Sequence, residues 1–345
     1  MNIVVLAGGL SPERNVSLTS GSLVAAALRR RGHAVLMLDV YEGIDDLPKD
    51  PLSLFTNTQG HAFSVDKNEP DLPALIEKHH GRKDPVGPNV LSLCRMADVT
   101  FLALHGAMGE NGQLQATLDL HGICYTGSGY IGSLLAMDKD IAKRMLRAAG
   151  VLTPDWIRVN AKERIDPESI IREVGFPAVV KPCSCGSSVG VSLVDTPEEL
   201  TAAITYAAQY EQSILVERRI AGRELSSGIL DGVVLPPIEI IPKEGFYDYA
   251  NKYQSGATTE LCPAPLDREV TEAIARATEA GFEALRLYGY ARFDYILDEC
   301  NRPWCLEANT LPGMTPTSLL PQECAAAGMD YDSLCQRLID LAVRQ

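Results

Sequence analysis

Residues 3–7 form a short β-branched apolar run that stops at Gly8 and Gly9, and from residue 15 to 31 apolar positions recur at helical spacing until Gly32. Strand, glycine loop and helix make the first unit. Further apolar runs at 34–40, 99–104 and 123–125, with helical pattern between several of them, predict an α/β layer with parallel strands. Residues 41–88 are polar and proline-rich and predict irregular structure with one or two short helices. A helical pattern over 137–149 closes at Gly150. Runs at 156–159, 178–181, 190–193 and 214–217 then read as strands, with helices predicted at 167–173 and 197–210. After Gly222, strands are predicted near 224–231, 233–241, 290–297 and 304–307, with a helix over 268–288 and another at the C-terminus. Three units are therefore expected: an N-terminal α/β domain at 1–136, a central α+β unit at 137–221, and a C-terminal α+β unit at 222–345.

Composition changes this picture only by exclusion. The chain has 345 residues, 46% hydrophobic and 22% charged, which suits soluble globular domains and not disorder. A formal charge of −14 repels phosphate backbones and anionic lipid, so neither nucleic acid nor membrane is an expected partner. No apolar stretch approaches the roughly 18 residues of a membrane helix, and residues 1–10 lack a basic signal region, so the protein reads as cytoplasmic. Its nine cysteines include no C-x-x-C pair, which argues against zinc or a disulfide framework.

Two glycine motifs lose on context. Gly127, Gly129 and Gly132 satisfy G-x-G-x-x-G, but no following strand ends in an acid about 20 residues on, as a dinucleotide site requires. Gly186, Ser188 and Gly190 satisfy G-x-S-x-G, but the chain continues as a strand, and all six histidines, at 33, 61, 79, 80, 105 and 121, precede the serine. What remains is a glycine-serine loop, 186–190, between two strands and behind Lys181-Pro182. Its backbone N–H groups can close over phosphate oxygens while the lysine supplies charge. Arg292 and Asp294 lie two apart on one strand, as do Glu307 and Asn309 on the next, so each pair shares a face. The oxygens of Asp294, Glu307 and Asn309 suit Mg2+, completed by phosphates and water.

These residues resemble the D-alanine:D-alanine ligases of the ATP-grasp fold, and the match runs nearly the whole length. Residues 8–18 (GGLSPERNVSL) are similar to that family's N-terminal signature and 105–112 (HGAMGENG) to its second. Met137-Asp138-Lys139, Lys181-Pro182 with Gly186 to Gly190, and Tyr247-Asp248-Tyr249 with Lys252-Tyr253 follow in order. Residues 307–319 (EANTLPGMTPTSL) are the most specific. Arg218 and Arg219 depart from the family, which usually shows a lysine and then an aromatic or apolar residue there.

The resemblance implies an ATP-grasp α/β fold whose two α+β domains enclose the nucleotide. It implies that Lys139 and Lys181, with Gly186 and Ser188, bind ATP phosphates, and that Glu217 and Glu224 hold adenine and ribose. Asp294, Glu307 and Asn309 are implied to hold two Mg2+, or Mn2+ in their place. Glu13 is implied to pair with the ammonium of the first D-alanine, in a hydrogen-bonded triad with Ser187 and Tyr253, with His105 nearby. Ser318, Leu319 and Lys252 are implied at the second D-alanine, and Arg292 and the Gly313 N–H at the oxyanion. Residues 247–260 are the candidate lid over an acyl phosphate, which water would otherwise hydrolyse. The implied activity is ATP-dependent formation of D-alanyl-D-alanine for peptidoglycan precursors, by a homodimer. Two alternatives stand beside it. A D-serine or D-lactate ligase is disfavoured by Lys252-Tyr253 and by Leu319, where such variants often carry arginine. A non-ligating nucleotide-binding module is disfavoured because the metal ligands and Arg292 are all present.

Overall fold

The computed structural model of the chain describes residues 1–58, 70–163, 166–186, 188–243 and 258–345. The first strand, β1 (Asn2–Ala7), is buried from Ile3 onward, as expected for a central parallel strand covered on both faces. It lies between β2 (Ala34–Asp39) and β3 (Val99–Leu102), both parallel to it. The run at 123–125 contributes a single parallel bridge, Thr100 to Tyr125, and not a full strand. Helix Arg14–Arg30 follows the glycine loop, with Val24, Ala25, Ala27 and Leu28 in the core beside β1. The core of this unit also takes in Leu334, Leu338, Ile339 and Leu341 of the C-terminal helix Tyr331–Arg344. His33 meets Gln336 at 2.7 Å on the same seam. The last helix of the chain thus returns to the first sheet.

The central unit is an antiparallel sheet of β4 (Trp156–Asn160), β5 (Ala178–Pro182), β6 (Ser192–Val194) and β7 (Ser213–Arg218), ordered β4-β7-β5-β6. Helices Pro167–Val174 and Pro197–Ala207 cover one face and bury Ile170, Val174, Leu200 and Ile204 against Val180, Ile214 and Val216. Both helices begin with proline at their first position, where the missing N–H costs no hydrogen bond.

The third sheet has β8 (Arg223–Leu230) paired with the short β9 (Val233–Val234), then β10 (Ile238–Pro242), β11 (Thr258–Leu261), β12 (Tyr290–Leu297) and β13 (Pro303–Asn309). Its order is β11-β10-β8-β12-β13. Alternation along β12 sets the function of its two faces. Phe293, Tyr295 and Leu297 go down into a core under helix Arg268–Ala284, and Arg292, Asp294 and Ile296 face the other way. Among the described residues, no helix is long and apolar enough to cross a membrane. All nine cysteines are free thiols.

Candidate functional site

Two cavities meet where the three units converge. The first, of about 680 Å³, lies between the sheet faces of the central and third units. Lys139, Lys181, Gly186, Ser188, Glu217, Glu224, Asp294 and Glu307 all line it. Lys139 reaches it because the helical run predicted over 137–149 breaks at Asp138. Its carboxylate caps a fresh helix, Lys139–Ala148, by accepting from Asp140 and Ile141 N–H at 3.0 and 3.1 Å. From that first turn, Lys139 Nζ donates to the Cys185 carbonyl at 2.8 Å and lies 3.4 Å from Glu307 Oε2. Lys181 comes from the end of β5, and its Nζ stands 2.5 Å from Glu217 Oε1. Burial alone would raise the Glu217 carboxyl, but Lys143 and Lys181 together hold it below its ordinary range. Glu307 and, more strongly, Glu217 raise the Lys181 ammonium against its burial.

The second cavity, of about 460 Å³, adjoins the first. Glu13, His105, Glu110, Arg292, Asn309, Gly313, Ser318 and Leu319 line it, and Gly186 and Glu307 belong to both cavities. Glu13 sits at the N-terminus of helix Arg14–Arg30, where its own N–H donates to Ser11 Oγ at 3.1 Å. The neighbouring signature residues hold that turn in place. Ser17 Oγ accepts from Gly8 N–H at 2.8 Å and donates to the Ala103 carbonyl at 2.6 Å, and Arg14 pairs with Asp39 at 2.7 Å and Glu42 at 2.8 Å. The glycine-serine loop closes on Glu13 as well. A Cβ on Gly186 would stand 3.6 Å from Glu13 Oε2.

Gly106, second in the 105–112 string, adopts φ +82°, and a Cβ there would stand 2.7 Å from Ser11 Oγ, so glycine is required on both counts. Its N–H donates to Glu110 Oε2 at 2.8 Å. Burial, with the charge of Glu13 behind it, pushes the half-buried Glu110 carboxyl up to about 8. Burial lowers His105 despite the pull of Glu13, which favours a neutral imidazole. Gly313 has no room for a side chain, because a Cβ would stand 2.8 Å from Ser318 Oγ; that hydroxyl accepts from Thr315 N–H at 3.1 Å.

The four strand residues come together as their spacing predicts. Arg292 stands opposite Asn309 and Asp294 opposite Glu307 across β12 and β13, with a bulge after Asp294. Arg292 grips Asp294 through Nε at 2.9 Å and Nη2 at 2.8 Å, and Asn309 Nδ2 donates to Asp294 Oδ2 at 3.0 Å. Two carboxylates and an amide beside Lys139 and Lys181 form a hard-oxygen donor set that fits a divalent cation of the Mg2+ class.

Ser187, Lys252 and Tyr253, and residues 247–257 of the candidate lid, lie outside the described residues. Two residues of the site had no role assigned from sequence. Glu110 was visible inside the string at 105–112, and Lys143 stands one helical turn after Lys139.

Comparison with known proteins identifies the family. The family model "D-ala D-ala ligase N-terminus" matches residues 2–128, and "D-ala D-ala ligase C-terminus" matches 145–340. A D-alanine--D-alanine ligase of Pediococcus pentosaceus is 40% identical over 98% of this chain and 97% of its own length. One of Nitratidesulfovibrio vulgaris is 39% identical over 99% and 98%. Among solved structures, the D-alanine--D-alanine ligase of Bacillus anthracis complexed with ATP superposes with a TM-score of 0.75 at 30% identity, covering 100% of this chain and 98% of that one. The protein, with ATP-grasp architecture from end to end, belongs to the D-alanine–D-alanine ligase family.

Proposed function

We propose that this enzyme joins two D-alanine molecules into D-alanyl-D-alanine while converting ATP to ADP and phosphate, supplying the dipeptide for peptidoglycan precursors and so for cell shape. The observation that carries this reading is the pair of cavities sharing Gly186 and Glu307. A nucleotide γ-phosphate in the first lies next to a carboxylate held in the second.

In this reading Glu13 takes the ammonium of the first D-alanine, with His105 beside it and Ser187 and Tyr253 extending the contact. Lys139, Lys181 and the N–H groups around Gly186 and Ser188 hold the phosphates, and Glu217 and Glu224 hold the adenosine end. Asp294, Glu307 and Asn309 hold Mg2+, or Mn2+. Bound there, the metal neutralises charge on the phosphate oxygens. The first carboxylate oxygen bonds to the γ-phosphorus as the bond to ADP breaks, giving D-alanyl phosphate. The second D-alanine, oriented by Ser318, Leu319 and Lys252, loses a proton from its ammonium. Its nitrogen then attacks the acyl carbon, and phosphate leaves. Arg292 and the Gly313 N–H face the developing oxyanion, a contribution of about 3 to 4 kcal/mol per donor in comparable sites.

The chain divides at 136/137 and 221/222 into substrate, central and metal-binding units, works as a homodimer and resides in the cytoplasm. Leu319, standing where D-serine and D-lactate ligases often carry arginine, favours D-alanine as the second substrate. The test is phosphate release from ATP with D-alanine first and D-alanine, D-serine or D-lactate second. Release dependent on D-alanine with dipeptide as the main product is expected. Equal release without D-alanine, or a depsipeptide as main product, overturns the reading.

A further inference from the structure

Lys143 is 0% exposed and lines neither cavity. Its ammonium donates to Thr153 Oγ1 at 2.7 Å, stands 2.8 Å from Glu217 Oε2, and lies 5.2 Å from the ring centre of Trp156. The other Glu217 oxygen is the one 2.5 Å from Lys181, and Glu217 is itself 2% exposed. One buried carboxylate is therefore shared by two ammoniums, of which only Lys181 and the carboxylate face the nucleotide cavity.

Neutralising Glu217 does not require this arrangement, since Lys181 alone supplies one positive charge. Nor does packing, because a methionine fills much the same space without the several kcal/mol that burying an ammonium costs. A second cation is needed only where the first has another partner. Lys181 has three N–H donors, and one of them is engaged by Glu217.

We propose that Lys143 is a positioning residue for nucleotide binding: it carries the counter-charge of Glu217 from behind, so that Lys181 keeps donors and net positive charge for a phosphate. This rests on the reading that Lys181 and Glu217 contact the nucleotide. With Lys143 present the triad carries one net positive charge at the phosphate end of the cleft. Without it, Lys181 becomes the sole partner of a buried carboxylate, and the triad is neutral. The Glu217 shift agrees in direction: Lys143 and Lys181 hold its carboxyl below the ordinary range although burial alone would raise it.

The test measures binding of a Mg2+-bound, non-hydrolysable ATP analogue by calorimetry to the intact enzyme and to Lys143→Met, Lys143→Arg, Lys181→Met, Glu217→Gln and Lys143→Met/Glu217→Gln. The D-alanine KM is followed at saturating ATP. Lys143→Met is expected to weaken analogue binding about ten- to a hundredfold, by analogy with the loss of an outer partner that supports a metal ligand from behind. Lys143→Arg is expected to recover most of it, with the D-alanine KM within about twofold in both Lys143 variants. Because Lys143 acts through Glu217, adding Lys143→Met to Glu217→Gln should change affinity less than about twofold. That last pair decides the matter even if Lys143→Met alone fails to fold, since the double variant leaves no buried carboxylate uncompensated. Unchanged affinity in Lys143→Met, or a tenfold loss on adding it to Glu217→Gln, overturns the proposal. If Lys181→Met binds the analogue as well as wild type, it is the nucleotide-site reading that fails.

Discussion

Glu110 should make the folded enzyme lose stability as pH rises, and Glu110→Gln should remove that loss. The Glu110 carboxyl sits beside Glu13 and is pushed from an ordinary 4.5 to about 8, first by burial and then by that neighbour. A shift of that size favours the protonated folded form by roughly 5 kcal/mol. Glu110 is only half-buried, so solvent screening brings the working figure to about 2 to 3 kcal/mol. The folded value lies above the unfolded one, so the folded state holds the extra proton between pH 4.5 and about 8. The contribution is complete below 4.5, declines through that window, and is gone above it. A glutamine has the same shape and never ionises. Urea unfolding of both proteins at pH 5, 7 and 9 should therefore show Glu110→Gln gaining about 2 to 3 kcal/mol on wild type between the lowest and highest pH. His105, lowered by burial, titrates in both proteins, and its effect largely cancels in the difference. Parallel curves, within about 0.5 kcal/mol, would refute the account of Glu110 as a carboxyl held protonated by its site.

Gly228→Ala should lower stability by about 1 to 3 kcal/mol, because its Cβ would stand 2.3 Å from Glu323 Oε2 and 2.6 Å from Leu320 in a packed interior. A thermal midpoint equal to wild type would show that this interior can give way. Arg292→Lys keeps the charge but loses the two-bond grip on Asp294 at 2.9 and 2.8 Å. It should cut kcat about a hundredfold while leaving nucleotide-analogue affinity within about threefold, and an equal fall in both would place Arg292 in nucleotide binding instead. Glu307→Gln should abolish turnover, and chelation should do the same to wild type until Mg2+ or Mn2+ is restored. Full activity of the glutamine variant at ordinary metal concentrations would show that the ligands lie elsewhere.

The order of elements was legible because burial imposes its period on the chain, and the departures have local causes. The run at 233–241 reads as one strand but forms two short ones, because Pro236 and Pro237 cannot donate to a ladder; Leu235 N–H turns back to the Gly228 carbonyl at 2.8 Å. The helix expected over 268–288 stops at Ala284, and Arg286 adopts φ +55° on the way into β12. In both places the apolar count was right. Backbone donors and dihedrals, which hydropathy does not record, set the boundary. The return of the C-terminal helix to the first sheet had no signal either, since periodicity shows that a helix has an apolar face and not which sheet will cover it.

The site divides in the same way. Arg292, Asp294, Glu307 and Asn309 were legible because a strand fixes the geometry of residues two apart, and pairing of β12 with β13 then needs only register to bring the four together. Lys139 and Lys143 share a helix and stand one turn apart, so the chain displays two equivalent lysines on one face. Their difference comes entirely from distant partners. Lys139 looks across the cleft to the Cys185 carbonyl and Glu307, whereas Lys143 is closed in by Thr153, Trp156 and Glu217. Spacing can place a charge on a face. Whether that charge meets a ligand or a buried carboxylate depends on what the rest of the fold lays against the face, and electrostatic roles at such a distance become visible only once the sheets have been packed.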